Sequence, residues 1–79
     1  MNNQKIKKAE ARLEAAKKRT LAAQQRVYAE ACFRQAANPA YDGQDIICLN
    51  KASVLEALAA ENEAKADLLE AQSDAGSEQ

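Results

Sequence analysis

Two thiols, Cys32 and Cys48, and several closely spaced carboxylates are the side chains of this sequence from which chemistry could be asked. A cysteine acts as nucleophile or metal ligand in its thiolate form, usually with a histidine to activate it, and the chain contains no histidine. Composition therefore excludes cysteine–histidine and serine–histidine catalysis. There is no C-x-x-C pair, so a zinc site would have to be assembled from two distant thiols and carboxylates. The two cysteines flank a strong turn signal, and a disulfide would need their Cα atoms within about 7 Å. A cytoplasmic setting favours buried free thiols instead. The carboxylates Glu61 with Glu63, and Asp67 with Glu70, fall in a helical pattern whose outer side must be solvated, which makes them surface charge. No glycine-rich phosphate loop is present. The expectation is a chain that is not an enzyme and holds no cofactor and no metal.

The elements behind these residues follow from spacing. Ile6, Leu13, Thr20 and Val27 recur every seventh residue, and Ala9, Ala16 and Ala23 form a second row beside them. Two such rows make one stripe on a helix, here expected over residues 4–37. In coiled-coil terms the larger residues stand at a and alanine at d, so a partner helix can approach closely. Asn38-Pro39 ends the helix, because proline disfavours a helical residue before it. The stretch NPAYDGQD, residues 38–45, reads as the turn. A second helix is expected over 46–73, starting near Gln44 or Asp45 with Asp42 or Asp45 as cap, although Ser53 and Glu56 also match a capping box. Its rows are Ile47, Val54, Glu61 and Leu68, with Asn50, Ala57, Ala64 and Ala71. Folding back near residue 42 sets Val27 against Ala57, Thr20 against Ala64, Ala16 against Leu68 and Leu13 against Ala71. Large then meets small, as dense packing requires, while Glu61 falls awkwardly opposite Ala23. Residues 74–79 have the composition of a disordered acidic tail. The expected fold is all-α, a single domain built as a two-helix antiparallel coiled-coil hairpin with an alanine-rich seam.

Charge and size extend the argument to partners. Residues 1–37 hold nine Lys or Arg against Glu10, Glu14 and Glu30, whereas residues 38–79 hold Lys51 and Lys65 against nine Asp or Glu. A basic and an acidic helix steer each other into an antiparallel pair. A chain of 79 residues with an alanine-lined seam buries little apolar area, so self-association into a bundle or docking on a protein is expected. From Val27 to Ala37 the first helix is apolar on almost every side, and the aromatics Tyr28, Phe33 and Tyr41 all lie near the turn. The candidate partner-binding residues are Tyr28, Cys32, Phe33, Ile46, Ile47 and Leu49, at the closed end. The polar start MNNQKIKK, with no apolar run after it, predicts neither a signal peptide nor a membrane span, and a cytoplasmic location.

The expected function is a small protein-interaction module, such as an adaptor, an assembly or secretion chaperone, or an inhibitor, offering a helical hairpin to a partner. The alternative is a dimeric four-helix bundle binding RNA or DNA through Lys5, Lys8, Arg12, Lys17, Lys18 and Arg19. In layout, two helices and one turn within 79 residues, the chain resembles plasmid RNA-binding hairpins that dimerise into four-helix bundles and hairpin co-chaperones of type III secretion needle subunits. That likeness is one of helix length and turn position, and it transfers no functional residue.

Overall fold

A computed structural model describes residues 3–41 and 43–77. Two long helices, α1 (Asn3–Ala37) and α2 (Asp45–Ser77), pack antiparallel against each other and are joined through a short 3-10 turn at Pro39–Tyr41. The result is a rod with extents of 61 × 14 × 11 Å. α1 stops where Pro39 requires it to stop, and the Asn38 amide closes its last turn on the Gln35 carbonyl at 3.1 Å. The Asn38 side chain then accepts a hydrogen bond from the Ala40 amide at 3.0 Å, an Asx-type turn that starts the reversal. Gly43 has φ 89°, a left-handed backbone that glycine adopts without strain.

α2 begins one residue before the expected position 46. The Gln44 carbonyl accepts from the Cys48 amide at 3.0 Å, which makes Gln44 the last residue outside the helix. Asp45 follows in the first turn, where a negative charge complements the helix dipole. Asp42, the other expected cap, lies outside the described residues. Ser53 and Glu56 do not start a helix; both sit within an unbroken α2. At the other end the expected disordered tail begins too early: α2 continues through Ser77, and only residues 78 and 79 lie outside the described residues. Ser73, the expected last helical residue, lies inside α2 and is buried.

The seam is an alanine seam, but not on the expected face. Its centre is Ala15, Ala22 and Ala29 from α1 with Ala52, Ala59 and Ala66 from α2, all 0% or 1% exposed. Half-buried Lys18, Gln25 and Cys32 of α1, and buried Cys48 and Asn62 with half-buried Leu55 and Leu69 of α2, complete the second row on each helix. The rows expected to be buried face outward: Leu13 is 55% exposed, Val27 64%, Val54 59% and Leu68 59%. Among the described residues no large side chain is fully buried. Two constraints select this face. Alanine on both sides lets the backbones approach more closely than Ile or Leu against alanine would. The observed face also keeps Glu61 in water, where it pairs with Lys65 at 3.2 Å, whereas the expected face would have buried its charge.

Adjacent alanines on α2 provide a direct check, because Ala59 is buried and Ala60 is exposed. Ala59→Leu is expected to destabilise by about 1–3 kcal/mol through overpacking, and Ala60→Leu by far less, in paired thermal or urea unfolding curves.

Candidate functional site

The surface of the hairpin divides into an ionic edge, an apolar edge and two outward faces, and the alanine seam fixes which residues belong to each. One edge carries Arg12, Arg19, Arg26 and Phe33 from α1, at seven-residue spacing, facing the row Leu49, Glu56, Glu63 and Glu70 from α2. Arg19 donates through Nε to Glu70 at 2.9 Å, and through Nη2 to Glu70 and to Asp67 at 2.7 Å each. Arg26 spans one α2 turn pair, reaching Glu56 with Nη1 and Glu63 with Nη2. These planar, two-pronged contacts suit arginine better than lysine. Hydrogen bonding to Asp67 and then Glu70 raises the Arg19 pKa above its ordinary value, and hydrogen bonding to Glu63 does the same for Arg26. The favourable charge on both guanidiniums is therefore fully present at every pH below the ordinary arginine range. Salt concentration, rather than pH near neutrality, is the variable that acts on these exposed pairs from the arginine side.

The ladder changes the reading of the basic helix. Of the six cations expected to form a nucleic-acid face, Arg19 is engaged by Asp67 and Glu70, and Lys17 pairs with Glu14 at 3.3 Å. Lys8 and Lys18 are half-buried beside the seam. Lys5 and Arg12 share the seven-residue row of Arg19, with Lys8 beside them, whereas Lys17 and Lys18 lie on other sides of α1.

The six residues expected at the closed end are also divided. Tyr28, one residue before buried Ala29, lies on the apolar edge, on the same side of the seam as Ile47. Phe33 continues the arginine row on the ionic edge, where Leu49 continues the glutamate row, and Ile46 lies behind Leu49. Cys32 is half-buried in the seam. All of Tyr28, Phe33, Ile46, Ile47 and Leu49 are exposed, on two different edges. Cys32 and Cys48 are free thiols, and Cys48 contacts the Gln35 side-chain oxygen at 3.7 Å. Both cysteines belong to the seam's second row, and the antiparallel register sets them at different levels of the rod.

What the expected patch leaves out is the outer surface along the whole length. Ile6, Leu13 and Val27 on α1, and Val54 and Leu68 on α2, are exposed with no covering element. Shallow grooves run along both helices, one lined by Thr20, Ala23, Gln24, Val27 and Tyr28, the other by Ile47, Asn50, Lys51, Val54 and Leu55. The heptad spacing of these rows in the sequence is the signal for them, although the same spacing also fits an internal seam. Inside the seam one polar pair is satisfied, Asn62 Nδ2 donating to Gln25 Oε1 at 2.9 Å, and the buried Ser73 hydroxyl has no protein partner. Among the described residues there is no cluster of three or more possible metal ligands, and no helix is long and apolar enough to cross a membrane.

Compared with protein-family models, with curated proteins and with solved structures, the chain matches none of them.

The ladder yields a test of what orients the helices. Arg26→Gln is expected to lower the melting temperature in dilute buffer, and the difference from wild type is expected to shrink in concentrated sodium chloride, as screening removes what the substitution removed.

Proposed function

We propose that this chain is a non-enzymatic protein-interaction module, a helical hairpin that docks through apolar residues it cannot bury by itself. The observation that carries this reading is the inversion of the usual order: alanine fills the inside, while among the described residues twelve large hydrophobic side chains, from Ile6 to Leu68, stand exposed. Scattered exposed leucines are ordinary, but Ile6, Leu13 and Val27, and Ile47, Val54 and Leu68, recur on seven-residue rows broken only by Thr20 and Glu61, a pattern that suits a surface meeting another helix. An adaptor, an assembly or secretion chaperone, and an inhibitor all use such a surface in the same physical way, helix against groove. The free thiols Cys32 and Cys48 accord with a reducing compartment, and we place the module in the cytoplasm.

Capture of binding partners from the source cell by the immobilised chain tests the reading, with Phe33→Asp and Ile47→Asp as the decisive variants because they lie on different edges. A charge introduced at a buried hot spot is expected to reduce recovery by about tenfold or more on the edge that docks. Recovery unchanged by both substitutions removes the closed end from the binding surface.

A further inference from the structure

We infer that Cys32 and Cys48 form an intrachain disulfide that locks the hairpin in a second register, with α2 displaced by one heptad along α1, so that the rod switches between two staggers in response to oxidant. This is independent of the docking reading above.

The observed register supplies the geometry. Gln25 and Asn62 meet across the seam at 2.9 Å. Cys32 lies seven residues after Gln25, and Leu55 seven before Asn62, so in the antiparallel pair Cys32 faces Leu55. Cys48 lies seven residues before Leu55. Sliding α2 by one heptad toward its own C-terminus, about 10 Å, puts Cys48 where Leu55 stands. The two thiols then take up the relation that Gln25 and Asn62 hold now. The alanine seam beside them lets the backbones come close, which favours the Cα separation of within about 7 Å that a disulfide needs.

Most of the interface repeats after such a slide. Ala52 and Ala59 move into the places of Ala59 and Ala66 in the alanine row. On the ionic edge Glu56 takes the place of Glu63 beside Arg26, Glu63 that of Glu70 beside Arg19, and Glu70 comes level with Arg12. The turn is long enough to follow. The eight steps from Ala37 to Asp45 span up to about 26 Å at about 3.3 Å each, against about 10 Å of travel and a helix spacing of roughly 8–10 Å. The costs are local: Asn62 meets Lys18 instead of Gln25, Arg19 loses Asp67, and Asp45 enters the alanine row near the turn. They hold the reduced chain in the observed register, and the covalent bond offsets them.

Cys32 is half-buried and Cys48 buried, which orders the chemistry. The Cys32 thiolate attacks a low-molecular-weight disulfide and expels one small thiolate. After the slide the Cys48 thiolate attacks the Cys32 sulfur of the mixed disulfide and expels the second. Two protein thiols are oxidised, one external disulfide is reduced to two thiols, and these take up the two protons released. In a reducing compartment such pairs respond transiently to oxidant. The slide also restaggers the outer rows, Leu13 and Val27 against Val54 and Leu68, by about 10 Å.

Oxidised glutathione added to the dilute, reduced chain tests the inference. The expected product is a monomer lighter by two hydrogens, with Cys32 joined to Cys48 in its peptide map and its helical circular dichroism retained. Methyl NOEs from each seam alanine of α1 are expected to move to the α2 alanine seven residues earlier. The double variant Gln25→Ala, Asn62→Ala, which no longer holds the observed register, is expected to oxidise about threefold to tenfold faster. Absence of an intrachain disulfide, whether the thiols stay free or join different chains, overturns the inference. So does an intrachain disulfide with the methyl contacts unchanged, or a double variant of wild-type helicity that oxidises no faster than wild type.

Discussion

The fold depends on the near contact of two backbones across alanine. Ala15, Ala22 and Ala29 against Ala52, Ala59 and Ala66 offer nothing but a methyl group each, so the attraction comes from many weak contacts at short range rather than from a few bulky side chains. Such a seam is strict about shape. It tolerates no larger residue at its centre, and it leaves Leu, Ile, Val, Tyr and Phe to be placed elsewhere. Their exposure is therefore a direct result of how the helices are held together.

Close approach also brings the side rows within reach of each other. Arg19 and Arg26 can grip Asp67, Glu70, Glu56 and Glu63 because the helices are near enough for one guanidinium to serve two carboxylates. The ladder runs along one edge only. The other edge carries Leu21, Tyr28 and Leu58, so the rod has an ionic side and a greasy side even before its outer rows are considered.

Much of this was legible in the amino-acid order, and the part that was not has a clear cause. Pro39 and Gly43 act through their own backbones, independently of anything distant, so the position of the bend could be read locally. The face of the seam could not. Alanine rows stand side by side at Ala15 and Ala16, at Ala22 and Ala23, and at Ala59 and Ala60. Hydrophobicity favours the row accompanied by Ile6, Leu13 and Val27, whereas packing favours the row whose neighbours across the gap are also alanine. The deciding information lies in pairs from different helices, Arg19 with Glu70 and Arg26 with Glu63, and in the cost of burying Glu61. The end of α2 differs for a related reason: residues 74–79 read as tail by composition, yet α2 continues through Ser77, and Ser73 continues the alanine row by position. The binding patch at the turn was named from aromatic content, and the register distributes those aromatics over two edges.

A rail of identical methyl groups has a weakness, since one heptad looks like the next and the helices could slide past each other at little cost. The amide pair of Asn62 and Gln25 interrupts that monotony near mid-length. Shifted by one heptad in one direction, Asn62 would meet Lys18, and in the other Cys32, and neither could replace the lost acceptor equally well. The pair works as a detent: it contributes little to the grip between the helices, but it decides at which notch they stop.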